Sequence, residues 1–253
     1  MKYTSRPYQS RKDLFEIGRL IHRAYARQND FNAWSFCRYD IWSQRRIADA
    51  ESFQDDLWQK KFQLVYDEMG RLAGTAFAFN NHHWRNDPEP YALILDPDQP
   101  QLAEILLDWA ESSGMREVEV IQGNTFLTDL IQSRGYTRSS DSMVLREKPL
   151  ASTPVEPVRL PDGYSIKVLH ESEWDCYFKA VHLVFNMMDT HEAFASIQRS
   201  PSNIHDLHLN VVNEQNQMTA FCSVWLDCDN NVAEFEPVGT VPQFQKHGLA
   251  SAL

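Results

Sequence analysis

The residues best suited to chemistry lie in the segment EFEPVGTVPQFQKHGLASAL, residues 234–253. A strand-like stretch with two glutamates, Glu234 and Glu236, passes through a proline into the pattern Q-x-x-G-x-A at residues 245–250. A strand that enters a glycine turn and then a helix leaves backbone N–H groups unpaired at the positive end of the helix dipole. The pattern therefore predicts a phosphate-binding loop. An ordinary helix start is the alternative interpretation.

Each residue type in this loop suits a bound phosphate in its own way. Gly248 lets an anion approach the backbone closely, and Ala250 is small enough to allow the same. Gln245 can hold the shape of the loop or donate a hydrogen bond. Lys246 and His247 can add positive charge.

The two glutamates are the candidate acid–base groups. Side chains alternate along a strand, so Glu234 and Glu236 are expected on one face. Pro237 removes a backbone donor beside them, which is consistent with a strand that loses its pairing there. The alternative is that one or both are solvated surface carboxylates.

A proline-rich connector divides the chain. Residues 148–163, KPLASTPVEPVRLPDG, hold four prolines and show no helical or alternating pattern. We therefore predict one domain over residues 1–147, a linker over 148–162 and a second domain over 163–253.

The two parts resemble each other in the order of their elements. The segments LVYDEMGRLAGTAFAF (64–79) and NVVNEQNQMTAFCSVW (210–225) align without a gap, each as two apolar alternating runs around a polar turn. Each hairpin is preceded by a strand and a helix with a Ser-x-x-Asp start, and is followed by a strand that ends near a proline. We therefore predict a mixed α/β fold with two similar units in tandem.

The predicted units diverge after that proline. The first lacks the glycine loop and continues with a helix at 98–114, a strand at 116–122, a helix at 124–136 and a last strand at 138–148. The second ends within its glycine loop. Only the second is therefore expected to carry the phosphate-binding function.

Composition excludes several classes of protein. The 253 residues carry a net charge of −11, which argues against a nucleic-acid surface. No apolar run is long enough to cross a bilayer, and the N-terminus has no signal-peptide core. The four cysteines show no CxxC spacing, which favours reduced thiols in a cytoplasmic protein. His82 and His83 lack a spaced carboxylate, so no metal site is expected.

The segment 234–253 resembles motif A of the GNAT superfamily of acyl-CoA-dependent N-acyltransferases. In that motif a strand ends at a proline and is followed by Q/R-x-x-G-x-G/A and a helix. Here Gln245, Gly248 and Ala250 stand at the three signature positions. The whole chain is similar to a tandem GNAT protein, with a degenerate motif in the first copy.

This resemblance implies a bound acetyl-CoA or other acyl-CoA as co-substrate. Val238 and Thr240, with Gly239 between them, would offer backbone groups to the pantetheine arm. The backbone amides from Lys246 to Ser251, including those of His247 and Leu249, would hold the pyrophosphate.

The resemblance also implies transfer of an acetyl or acyl group to an amine. An alkylamine has a pKa near ~10, so only about one molecule in a thousand is neutral at pH 7 and a base is needed. Glu234 matches the position that the family often uses for that base, and Glu236 is the other candidate. The expected acceptor is a small-molecule or peptide amine. The alternative function is a non-catalytic module that binds acyl-CoA or a protein partner.

The end of the sequence carries a separate expectation. A general acid in the family is often a tyrosine on a later helix, which would lie beyond Leu253. The chain is therefore expected to be a fragment, or the ordered part, of a longer enzyme and to be inactive at 253 residues. Its oligomeric state stays open between a monomer and a homodimer.

Overall fold

The computed structural model describes residues 2–48, 59–79, 90–140, 142–150 and 157–253. The chain forms two compact units. Unit 1 comprises Met1–Ile131, Glu192–Asn203 and Leu226–Ala233, and unit 2 comprises Gln132–His191, Ile204–Trp225 and Glu234–Leu253. The predicted domain limits at 147 and 163 stay a prediction, and residues 151–156 of the proline-rich connector lie outside the described residues.

The first sheet has five strands in the order β1-β2-β3-β4-β5. The first three strand pairs are antiparallel and β4 pairs with β5 in parallel. The strands are β1 (Thr4–Pro7), β2 (Phe62–Tyr66), β3 (Leu72–Ala78), β4 (Pro90–Leu95) and β5 (Glu117–Val118). The helices described with it are α1 (Arg11–Arg27), α2 (Phe36–Ala48), α3 (Leu102–Ser112) and α4 (Thr125–Ser133).

Both faces of the first sheet are covered by side chains from helices. The apolar stripe of α3 packs on one face with residues from β3 and β4. On the other face, Trp42 and Tyr39 from α2 pack against Phe77, with ring centroids 4.9 and 6.1 Å apart. The alternation of side chains along β3 therefore builds two separate cores on one sheet.

The second sheet has four strands in the order β6-β7-β8-β9, and β6 is antiparallel to β7. Its elements are β6 (Tyr164–Val168), α5 (Trp174–Phe185), α6 (His191–Ile197), β7 (Asn203–Asn213), β8 (Met218–Asp227) and β9 (Val232–Thr240). Short 3-10 turns precede α5 at Glu171–Glu173 and follow β9 at Pro242–Phe244.

The mixed α/β fold with a repeated order of elements is confirmed. Among the described elements, the series strand, two helices and three strands occurs as β1 to β4 and again as β6 to β9, with the same strand order in each sheet. We call β1–α4 the first repeat and the part from β6 onward the second repeat. The first repeat alone continues into α3, β5 and α4.

Three local predictions differ from the structure. Residues 138–140 and 142–148 form no strand, and Met143, Val144 and Leu145 are exposed. The predicted strand at 116–122 is reduced to Glu117–Val118. A strand is stabilised by a paired neighbour, which a sequence pattern alone cannot supply.

The third difference is the start of α5. Ser10 and Asp13 begin α1 as predicted, since the Asp13 carboxylate accepts the Ser10 N–H at 3.3 Å. In the second repeat the corresponding bond runs from the His170 N–H to the Glu173 carboxylate at 3.1 Å, instead of through Ser172 and Asp175. The 3-10 turn therefore takes the place of the predicted helix start.

Two global features complete the description. Among the helices that the structure describes, none is long and apolar enough to cross a membrane. All four cysteines are free thiols, and burial raises the pKa of Cys222 to about 11.

Candidate functional site

Strand β9 carries both glutamates and is one of the two outer strands of the second sheet as far as the structure describes it. Glu234 is half-buried and Glu236 is exposed. Two apolar side chains on the same strand are also exposed, Phe235 by 53% and Val238 by 38%. An outer strand has backbone groups that no neighbouring strand takes, so an extended ligand can add to it.

The buried side of β9 is held by aromatic side chains of β8. The indole N–H of Trp225 donates to the carbonyl of Glu236 at 2.5 Å. A Cβ built on Gly239 would lie 2.5 Å from Cζ of Phe221, a separation that real Cβ atoms essentially never show. Only glycine therefore lets β9 lie this close to the Phe221 ring. This packing role for Gly239 was not part of the sequence prediction.

The loop after β9 has two residues in left-handed conformations. Lys246 has φ +65° and Gly248 has φ +75°. When left-handed and right-handed backbone conformations alternate along a loop, successive N–H groups point toward one side and form a concave site for anions. A Cβ at Gly248 would meet no atom of the described chain within 4 Å. Gly248 is therefore required for its backbone conformation, and the space beside it is open.

Five consecutive backbone N–H groups of this loop, those of Lys246 to Ala250, form no hydrogen bond within the described part of the chain. The groups on either side are paired, since the Gln245 N–H donates to Pro242 O at 3.4 Å and the Ser251 N–H donates to Gly248 O at 3.1 Å. The Gln245 side chain donates to the carbonyl of Thr240 at 3.3 Å. The glutamine thus ties the loop back to the end of β9.

The segment after Gly248 forms hydrogen-bonded turns, where the sequence predicted the first turn of a helix. The N–H of Ala252 donates to Leu249 O at 3.2 Å. Leu249 is buried in a cluster with Val211 and Ala220 of the sheet. This apolar contact fixes the far side of the loop, so its shape depends on the sheet beneath it.

In the first repeat, the backbone groups at the end of β4, the strand that corresponds to β9, are bound by a side chain of the same chain. Counting back from Pro97 and Pro242, Leu95 corresponds to Thr240. The side-chain amide of Asn32 donates to Leu95 O and accepts the Leu95 N–H, both at 2.9 Å. The backbone groups at the end of β4 therefore have an internal amide partner.

The loop that follows β4 is acidic. The Asp96 carboxylate is buried, accepts the Asp98 N–H at 3.1 Å and binds Arg27 at 2.7 Å. Arg27 also binds the Asp98 carboxylate. The N–H of Asp98 in this loop is therefore taken by Asp96, and both carboxylates are paired with Arg27.

The comparisons with known proteins concern the fold. No protein-family model matches the sequence, and no curated protein matches it. A GCN5-related N-acetyltransferase from Sphaerobacter thermophilus superposes over 99% of this chain and 80% of its own, with a TM-score of 0.59 at 17% identity. A tandem GNAT protein from the clavulanic acid biosynthesis pathway covers 100% of this chain and 83% of its own, with a TM-score of 0.51 at 12% identity.

This chain has a tandem GNAT fold. The likeness covers both repeats, which explains why the order of strands recurs. At these identities the likeness establishes the fold, so the roles of individual residues rest on the geometry of this chain.

Several contacts of this GNAT fold had no signal in the sequence. Asn32 lies 63 residues from its partner Leu95. His22 lies 205 residues from Asp227, with which it forms a hydrogen bond. Neither pair has a spacing or motif that local patterns detect. His82 and His83 lie outside the described residues, and the described residues contain no group of three or more potential metal ligands.

Proposed function

We propose that the second repeat binds acyl-CoA and transfers its acyl group to an amine. The observation that carries this proposal is the run of backbone N–H groups from Lys246 to Ala250, unpaired within the described chain and directly after the outer strand β9. Backbone N–H groups that converge on one site bind phosphate without any charged side chain. The left-handed Gly248, with open space beside it, fits the pyrophosphate of coenzyme A.

The pantetheine arm of coenzyme A would lie along β9. Its two amide groups can pair with a strand edge as an added strand does. Val238 and Thr240 are the positions expected to offer those backbone groups, and Gly239 keeps β9 close against β8. The exposed side chains of Phe235 and Val238 supply apolar surface on the same strand.

The first repeat supports a single cofactor site in the chain. Asn32 binds both the N–H and the carbonyl of Leu95, whereas the Gln245 side chain binds only the carbonyl of the corresponding residue, Thr240. Asp96 accepts the Asp98 N–H in the loop before α3, where the second repeat has its glycine loop. We therefore expect one coenzyme A per chain.

The chemistry requires a proton acceptor for the amine. The bound acyl-CoA supplies an activated thioester. Glu234, half-buried on β9, accepts the amine proton directly or through water, and the neutral amine forms the new amide bond as the C–S bond breaks. The coenzyme thiolate leaves and takes up a proton to give the free thiol. Glu236, two positions along, is the alternative base.

The charge of the second part of the chain indicates the class of acceptor. By count from the sequence, residues 148–253 hold 13 acidic and 6 basic residues, a net charge of −7. A negative surface attracts cations, so we propose a protonated small-molecule or peptide amine as the acceptor.

The test uses the full-length protein and measures coenzyme A release from acetyl-CoA by chromatography, with spermidine, tyramine, glucosamine and a lysine peptide as acceptors. Glu234→Gln should lower kcat by roughly 10²- to 10⁴-fold with little change in the KM for acetyl-CoA. Glu236→Gln is the matched control on the same strand and should retain most of the rate. If only Glu236→Gln loses activity, the two glutamates exchange roles.

A second outcome separates enzyme from binding module. Acetyl-CoA binding without amine-dependent release for any acceptor would favour the non-catalytic alternative. Absence of acetyl-CoA binding would overturn both.

A further inference from the structure

A hydrogen bond between His22 and a buried carboxylate joins helix α1 to the turn that leads into β9. Nδ1 of His22 lies 2.7 Å from Oδ2 of Asp227, whose side chain is 1% exposed. His22 belongs to the first repeat and Asp227 ends β8, yet both lie in compact unit 1. Because the carboxylate is removed from solvent, its oxygens depend on protein partners for their hydrogen bonds.

The same carboxylate organises the whole β8–β9 turn, which comprises residues 227–231. Oδ1 of Asp227 accepts the N–H groups of Asp229 and Asn230, both at 3.1 Å. Oδ2 also accepts the side-chain amide of Asn230 at 2.6 Å, and that amide donates to the carbonyl of His22 at 3.1 Å. Asp227 and Asn230 thus bind both the ring and the backbone of His22.

The turn passes directly into the strand that carries the glutamates. Asn231 is left-handed, with φ +54°, and β9 begins at Val232, two residues before Glu234. A change in the turn would therefore redirect the first residues of β9. No loop or linker separates Glu234 from this anchor.

A second contact of the same kind holds the neighbouring strand end. The carboxylate of Asp40, on α2, accepts the hydroxyl hydrogen of Ser202, just before β7. The carbonyl of Ser202 in turn accepts the N–H of Leu226, the residue before Asp227. Helices of the first repeat therefore bind the ends of β7 and β8 through buried acidic side chains.

We propose that His22 and Asp227 are positioning residues for acyl transfer, through which the first repeat fixes the turn from which β9 starts, two residues before Glu234. This inference rests on the proposed function. It assigns the first repeat a role in catalysis that needs no cofactor of its own. Neither residue touches the reacting atoms, so their effect is on geometry.

The kinetic test compares variants with the acceptor of highest rate in the amine assay. Asp227→Asn and His22→Ala should each lower kcat about tenfold or more, because small displacements of a catalytic group are costly, while the KM for acetyl-CoA stays within about twofold. His22→Asn places an amide nitrogen where Nδ1 stood and should restore most of the rate. Asp229→Asn makes the same chemical change on an exposed side chain of the same turn and should leave kcat unaltered.

A second measurement does not depend on turnover. Hydrogen exchange of the amides of residues 232–240 should accelerate about tenfold in Asp227→Asn and His22→Ala, with no change in β2 and β3. Unchanged hydrogen exchange in β9, or a loss of kcat in Asp229→Asn equal to that in Asp227→Asn, would overturn the inference even if the wild-type protein acetylates amines. Accelerated exchange in the variants of a protein without activity would instead refute the proposed function and leave the anchor of β9 standing.

Discussion

Gly239 of β9 lies directly against the ring of Phe221 on β8. A Cβ on Gly239 would stand 2.5 Å from Cζ and 3.0 and 3.1 Å from the two Cε atoms. Phe221 cannot move aside freely, because it is fully buried and packs edge-on against Tyr177 at 5.4 Å. The distance between β8 and the candidate cofactor strand is therefore set by a glycine and one aromatic ring.

Gly239→Ala should lower the free energy of unfolding by about 1–3 kcal/mol through overpacking. Urea unfolding measures this loss. Gly18→Ala is the matched control. A Cβ on Gly18, in helix α1, would lie 3.5 Å from the ring of Tyr39, which is an ordinary van der Waals distance. Phe221→Leu should recover part of the loss in the Gly239→Ala background, and additive losses in that double variant would argue against a direct clash.

Gly248→Glu should abolish acetyl-CoA binding in calorimetry. The carboxylate would enter the open space beside the loop and repel the pyrophosphate, and a glutamate is strained at φ +75°. Gly70→Glu is a matched control, because Gly70 has φ +72° and a Cβ there would likewise meet no atom of the described chain within 4 Å. The control variant introduces the same negative charge and the same backbone strain, but in unit 1, and should bind acetyl-CoA normally. Normal binding by Gly248→Glu would place the phosphates elsewhere.

The first repeat should contribute no second cofactor site. Calorimetry with the wild-type protein should give a stoichiometry of about one coenzyme A per chain, since Asn32 and Asp96 occupy the matching groups. Asn32→Ala should leave that stoichiometry unchanged and lower the stability by about 1–3 kcal/mol, because it leaves the Leu95 backbone groups without their partner. A stoichiometry of two would contradict this interpretation.

His208 should make the protein less stable in mild acid. Burial, followed by the charge of His205, lowers the pKa of His208 from 6.5 to about 4. Between these two pH values His208 is protonated in the unfolded chain but neutral in the folded chain. The contribution of His208 to the free energy of unfolding is therefore fully present above pH 6.5 and is lost as the pH falls toward 4. From pH 7.5 to pH 5 the loss should be about 2 kcal/mol.

Urea unfolding at the two pH values checks this prediction. His208→Gln should remove most of that pH-dependent difference, whereas His182→Gln, an exposed histidine on α5, should retain it. An identical pH dependence in wild type and His208→Gln would show that His208 titrates normally.

Asn210 of β7 carries a fully buried side-chain amide. Neither its Oδ1 nor its Nδ2 has a hydrogen bond within the described part of the chain. Asn210→Leu should therefore raise the free energy of unfolding by about 1–3 kcal/mol, since it removes an uncompensated desolvation cost. Asn203 on the same strand donates to Gln198 O at 2.7 Å, so Asn203→Leu should lower the free energy of unfolding. Destabilisation by Asn210→Leu would point to a bound water as the missing partner.

Local sequence patterns predicted the parts of the fold that depend on neighbours in the chain. The two hairpins, β2–β3 and β7–β8, lie where the alternating runs and polar turns placed them. The glycine loop follows its strand as predicted, with Gly248 left-handed. These features follow from side-chain alternation and backbone conformation, which act over a few residues.

Tertiary structure decided everything that depends on partners far along the chain. The segment 142–148 has apolar residues but no strand, because a strand needs a neighbour to pair with. The hydrogen bonds of Asn32 with Leu95 and of His22 with Asp227 join residues 63 and 205 positions apart. A glycine can allow a turn or make room for an aromatic ring, and the sequence does not distinguish these roles. Gly239 is needed beside Phe221 only because β8 and β9 pack against each other. The sequence thus determined which residues could do chemistry, and long-range packing determined how they are held.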